Sequence, residues 1–184
     1  MIRKVTQAGF SLVEILIYLA IVGGLLLAST QLITSALTSR NRVTAQTAVA
    51  QNMRFAINKI GQEVRSAKKI DGETKFNQDQ GKLVLGENGR FNKTIFTLVD
   101  GIIQLRQQGG DEDFSAVLTT DDVNVSVMRF QDVGAAKQEA IRVTLEISYR
   151  NPDAISGLES SSSESFTVTL RDISDDDDDD DDDD

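Results

Sequence analysis

The side chains that could do chemistry in this 184-residue chain are carboxylates, because it contains no Cys and no His. A Cys/His zinc site, a Ser-His-Asp triad, a thiol nucleophile and a disulfide are all excluded. An enzyme would have to rest on a carboxylate pair. The candidates are Asp111, Glu112 and Asp113 in the string Gly109-Gly110-Asp111-Glu112-Asp113, and Asp121-Asp122. Both groups read as turn residues with no flanking constellation. The first could take calcium on a flexible turn, but it lacks the twelve-residue EF-hand spacing and reads better as a solvated loop. No enzymatic activity is expected, and no cofactor beyond that weak calcium candidate.

Glu14 is a carboxylate of another kind. It sits within Phe10 to Ala28, FSLVEILIYLAIVGGLLLA, nineteen residues in which Ser11 is the only other strongly polar side chain. As a helix this run rises roughly 28 Å, close to the ~30 Å hydrocarbon core of a bilayer. A carboxylate at that depth costs about 3 kcal/mol and normally needs a partner. The alternative is that Glu14, one turn from the helix end, snorkels to the interface. Arg3 and Lys4 precede the run with no acid beside them. They place the amino end in the cytoplasm and everything beyond the span outside.

The string Gly9-Phe10-Ser11-Leu12-Val13-Glu14, behind a short basic leader and opening an apolar helix, resembles the class III signal of type IV pilins and type II secretion pseudopilins. The resemblance implies that a membrane aspartyl peptidase cuts after Gly9 on the cytoplasmic side and methylates the new amino-terminal Phe10. It also implies that the cationic Phe10 amine, in the same chain or a neighbouring subunit, pairs with Glu14 and sets the register of incoming subunits in a fibre. An ordinary secretory signal cut near Ala28-Ser29-Thr30 is the weaker reading. Ala20, Gly24 and Ala28 recur at four-residue spacing, a small face that lets membrane helices approach closely, and Gly23-Gly24 weakens the helix locally.

Beyond the span the helix continues. From Leu32 to Ile70 there is no Pro and Gly61 is the only Gly. Val49, Met53, Ala56, Ile57, Ile60, Val64 and Ala67 keep steps of three and four, while Asn52, Asn58, Lys59, Gln62, Glu63 and Ser66 are expected elsewhere on the helix. Arg65, Lys68 and Lys69 are expected in its last turn, with Asp71-Gly72 as the stop. The spacing thus predicts one helix from residue 10 to about 69, roughly 90 Å long.

Residues 71–174 alternate in short segments broken by turns. Leu83-Val84-Leu85 ends at Gly86, Thr94 to Val99 meets the hairpin signal Asp100-Gly101, and Ile102 to Gln107 follows. Val123, Val125 and Val127 alternate, as do Ile141 to Tyr149 and Phe166 to Leu170. The expected product is α+β: one long helix, its first half transmembrane, packed on a single antiparallel sheet of about five to seven strands. The segments Leu118 to Phe130 and Phe166 to Arg171 are similar to the heads of J-type minor pseudopilins and related minor pilins. Asp153 to Glu164 is Ser-rich and is expected to be a mobile connection.

The formal charge of −10 comes from 19 Lys+Arg against 29 Asp+Glu, and Asp175 to Asp184 supply ten of the acids. That run is expected to be a disordered, solubilising tail. The organisation expected is therefore a leader at 1–9, a membrane or filament-core helix at 10–31, its amphipathic continuation at 32–70, a β-rich head at 71–174 and a tail at 175–184. Acids outnumber bases in the head, so tight, direct nucleic-acid binding is not expected.

The resemblance implies a structural role, a minor pilin-like subunit of the inner membrane that is extracted into a periplasmic or cell-surface filament. Its partners would be the prepilin peptidase-methyltransferase, other pilins or pseudopilins, and an assembly platform with its ATPase. A type II secretion J-type minor pseudopilin and a non-assembling single-pass binding protein are the alternatives.

Overall fold

The computed structural model describes residues 11–109, 113–135 and 139–170. The leader with Gly9, the residue Phe10, the acids Asp111 and Glu112, and the poly-Asp run lie outside the described residues.

Helix α1 runs Leu12–Ser66, 55 residues without a break. Its first part is uncovered by the described residues of the head, and Leu12, Leu16, Leu19, Val22, Leu26, Ile33 and Leu37 are all exposed. Its second part is the amphipathic half, with Val49, Met53, Ala56, Ile60 and Val64 at 3% exposure or less. Steps of three and four put these side chains on one stripe, and that stripe is the helix's contribution to the core.

The helix stops earlier than the spacing predicts. Ala67 is already extended, and the chain passes without a loop into strand β1, Ala67–Ile70. Lys68 and Lys69 are therefore strand residues, and of the three expected cations only Arg65 stands in the last turn. Pairing explains the change: β1 runs antiparallel to β2, Leu83–Asn88, with Ala67 opposite Asn88 and Lys69 opposite Gly86. Gly86 continues β2 and does not end it. A Cβ there would come within 2.9 Å of Lys69 Cε, so the missing side chain is what lets the lysine stem lie across the strand.

Strand β2 pairs with β3, Phe91–Val99, then β3 with β4, Ile102–Gln108, and β4 with β5, Phe114–Val117, giving a five-stranded antiparallel sheet. The β3–β4 turn uses Asp100 and Gly101 with φ of 52° and 75°. Two successive positive φ values are what a tight hairpin requires, and Asp-Gly supplies them at low cost.

The expected single sheet is in fact two. Strands β6, Val123–Asp132, β7, Ala140–Tyr149, and β8, Ser161–Thr169, form a separate three-stranded antiparallel sheet. Strand β6 does not pair with β5, because the segment Asn77 to Gly81 occupies its free edge. Asn77 N–H donates to Phe130 O, Gly81 N–H to Met128 O, and Met128 N–H to Asp79 O. A bulge between Val125 and Val127 also breaks the expected alternation. It turns Met128 and Phe130 inward, both fully buried, and leaves Val127 partly exposed. The Ser-rich connection is shorter than expected, since Ser161 to Glu164 pair with Ser148 to Leu145 as the start of β8.

The helix stripe and the inner faces of both sheets share one core, in which Ile60, Leu83, Phe96, Leu105, Phe130 and Leu145 are almost wholly buried. This is an α+β, pilin-like architecture: a long amino-terminal helix, apolar and bare at the front, packed on antiparallel sheets at the back.

Candidate functional site

The bare half of α1 is the candidate site. An eighteen-residue window of it has a mean hydropathy of 2.3 and none of it is buried. Burying such a surface in water-free surroundings is strongly favourable, and the described head covers none of it. Along this surface Glu14 is half-buried in the first turn, and the Tyr18 hydroxyl donates to its Oε1 at 3.4 Å. Tyr18 is a neighbour that sequence reasoning missed, although its i+4 position on the same helix face could have pointed to it. The expected Phe10 partner lies outside the described residues.

The helix passes through Gly23 and Gly24 unbroken, and a Cβ at either would meet nothing within 4 Å. Ala20, Gly24 and Ala28 form a shallow face open to its surroundings, with room for another helix to approach. Beyond them, Thr30, Thr34 and Thr38 each donate their hydroxyl to the carbonyl four residues earlier, at 2.9 to 3.0 Å. Their donors are thereby satisfied inside the helix itself, which suits a segment near the edge of an apolar phase.

Two buried polar residues fasten the helix to the head, and both were expected away from its apolar stripe. Asn52 is 8% exposed and Glu63 is 7% exposed. The Asn52 side chain accepts from Thr120 N–H at 2.8 Å and donates to Thr120 Oγ1 at 3.2 Å, crossing 68 residues of sequence. Glu63 receives Lys59 Nζ at 2.5 Å on one oxygen. On the other it receives Asn88 Nδ2 at 2.5 Å and Gln107 Nε2 at 3.2 Å. Thr94 Oγ1 accepts from both amides, so the helix, β2, β3 and β4 meet in one buried polar knot. The sequence carries only a positional hint of it. Asn52 is three residues from Val49 and four from Ala56, and Glu63 is three from Ile60, so both border the apolar stripe.

Of the acidic candidates, Asp113, Asp121 and Asp122 are among the described residues. Asp113 is exposed ahead of β5, and Asp121 and Asp122 are exposed in the turn before β6. Among the described residues no group of three or more carboxylates could hold a metal ion.

Among the described residues, a group of exposed ion pairs lies where β1, β2 and β3 meet. Glu73 accepts from Lys93 at 2.6 Å and from Lys82 at 3.2 Å, and these bonds hold its carboxyl below the usual range. Asp71 is lowered first by the backbone N–H of Glu73 and then by Lys93, and Glu87 by Lys68 and Lys69. Lys93 is raised in turn, chiefly by its bond to Glu73.

Carboxyls with lowered values stabilise the fold above the ordinary carboxylate range near pH 4, and the contribution is lost as pH falls through their folded values. The Lys93 contribution is present below its ordinary value and is lost only in strong alkali. Urea midpoints of the full chain in detergent are expected to be flat from about pH 5 to 8 and to fall below about pH 4. Lys93→Met should make that acid limb shallower, because Glu73 and Asp71 then titrate closer to their free values. An identical limb in the variant would show that these pairs contribute nothing.

No protein-family model, curated protein or solved structure matches this chain.

Proposed function

We propose that the chain is a minor type IV pilin-like structural subunit, cut after Gly9, methylated at Phe10 and assembled through its bare helix into a periplasmic or cell-surface filament. The observation that carries this reading is the division of α1. One continuous helix has a front half that the described head leaves uncovered and a back half locked into the head. A front half of that kind needs an apolar environment, first a bilayer and then the helices of fellow subunits. The Gly9 to Glu14 string opens the apolar run that becomes this helix.

In this reading Glu14 neutralises the Phe10 amine of a neighbouring subunit, the small face at Ala20, Gly24 and Ala28 admits close helix packing, and the knot at Glu63 transmits load from helix to head. The chemistry belongs to the partners: the peptidase-methyltransferase, the assembly platform and its ATPase. A J-type pseudopilin of a type II secretion system would use the same residues in the same way in a shorter filament.

Amino-terminal mass spectrometry on protein expressed with a prepilin peptidase tests the reading. The expected product begins at methylated Phe10. A product that keeps residues 1–9 under those conditions would instead favour a membrane-anchored protein that does not assemble.

A further inference from the structure

The described head first touches α1 at Thr38. Everything from Ile15 to Leu37 is exposed apart from a partial covering at Gly23. The first contact is made by the loop between β7 and β8. Asn41 Nδ2 donates to Ser156 O at 3.3 Å, and Gly157, at φ +89°, presses on the helix so closely that a Cβ would lie 2.6 Å from Thr38 O. This loop is therefore the end of the head nearest the bare helix. It carries Ile155, 47% exposed, at its tip.

The rise of the helix gives a ruler. About twenty residues from Leu12 cross a hydrocarbon core of ~30 Å, which brings the far edge to the neighbourhood of Gln31. Headgroups add roughly 5 to 7 Å on that side, or about three to five further residues. Thr38 to Arg42 then stand just above the headgroup layer. Helical side chains lean toward the helix amino terminus, so long side chains at Arg40 and Arg42 point back toward the bilayer. Both arginines are exposed, and neither takes part in an ion pair among the described residues. The adjoining loop carries the acids Asp153 and the Gly157-bonded Glu159 beside one exposed base, Arg150, so it adds no net positive charge and the attraction to phosphate rests chiefly on Arg40 and Arg42.

We infer that Arg40 and Arg42, with the Ile155 loop beside them, form a collar that docks the head on the phospholipid phosphates of the membrane its own helix spans. The inference rests on the membrane reading above and adds to it a defined resting pose before extraction. Guanidinium groups match phosphate oxygens in bidentate geometry, and an exposed isoleucine that reaches the headgroups gains by leaving water. The helix holds both just above that layer. Extraction into a filament would then have to break these contacts as well as withdraw the apolar helix.

The chain has no Trp, so a single introduced indole reports position without background. Full-length protein carrying Ile155→Trp is reconstituted in nanodiscs of phosphatidylcholine and phosphatidylglycerol, and quenching is compared between a headgroup nitroxide lipid and an acyl-brominated lipid. Strong headgroup quenching and weak acyl quenching are expected. Arg40→Gln and Arg42→Gln should each lower the docked-to-free ratio by roughly five-fold, the effect of one basic residue near an anionic surface. Discs of phosphatidylcholine alone should show weaker docking. A companion protein with Leu19→Trp separates docking of the head from insertion of the helix. If that indole is quenched by brominated acyl chains while the one at position 155 is untouched by either lipid, docking is overturned and the span stands. If neither is quenched, the membrane reading falls and the collar falls with it. An indole signal at position 155 that follows protein density in the disc and not lipid charge would assign the surface to a second copy of the chain, and would equally overturn the proposal.

Discussion

Glu14→Ala is expected to leave cleavage and methylation intact and to reduce incorporation of the chain into filaments by about two orders of magnitude. The number follows from placing a cationic amine in an apolar environment without its carboxylate, a cost of about 3 kcal/mol at 1.4 kcal/mol per factor of ten. The variant helix is more apolar than the parent and still inserts, so loss of insertion cannot account for the defect. Glu14→Asp keeps the charge and shortens the reach, and should recover part of the incorporation. Sheared-filament fractions, probed beside membrane fractions from the same cells, measure both quantities. Normal filament content of the alanine variant would mean that Glu14 merely snorkels, and its contact with Tyr18 would then be its whole role.

The second large effect is expected at Glu63. Its carboxylate accepts from Lys59, Asn88 and Gln107 while almost wholly buried. Glu63→Ala removes three charge-assisted bonds and leaves two buried amides short of an acceptor, which should cost about 3 kcal/mol. Glu63→Gln keeps the shape but turns an amide donor toward other donors, and should cost about half as much. Lys59 is the most exposed partner, so Lys59→Met should matter least. Hydrogen exchange in the full chain localises the loss. Amides of β2 and β3 opposite the helix are expected to lose protection in Glu63→Ala, while those of β7, on the other sheet, change less. Unchanged protection at β2 and β3 would show that the apolar stripe alone holds the helix on the five-stranded sheet.

These two residues mark what the chain's linear pattern could and could not convey. Glu14 stands out in the sequence because a lone carboxylate within nineteen apolar residues is anomalous wherever the helix goes. Glu63 does not stand out, because a glutamate on the border of an amphipathic stripe is the ordinary arrangement of a surface helix. Only the approach of Asn88 and Gln107, 25 and 44 residues away, turns it into a buried acceptor. Asn52 is the same case, with Thr120 as its distant partner. Local periodicity reports which face is apolar, but it does not report how far the opposing sheets wrap around the edges of that face.

The same distinction runs through the strands. The Asp100-Gly101 hairpin was legible because two residues with positive φ are a local demand that local chemistry meets. The bulge at Ser126 and the turn of Met128 into the core were not, since they depend on Asn77 to Gly81 lying along the edge of β6. That strap also divides the expected single sheet in two. Lys68 and Lys69 have helix-ending chemistry by type and position, yet they pair with β2 because Gly86 leaves space for a lysine stem and Ala67 gains burial.

By itself the sequence determined the α+β class, the long amino-terminal helix with its apolar front and amphipathic back, and most strand positions. Each of these depends on residue type and spacing within a few turns or a few pleats. The tertiary structure decided where the helix ends, that the head has two sheets around one core, that Asn52 and Glu63 lock the helix to it, and that the β7–β8 loop meets the helix at Thr38. Those features are settled by contacts between residues far apart in the chain, where burial and hydrogen-bond satisfaction outweigh local preference.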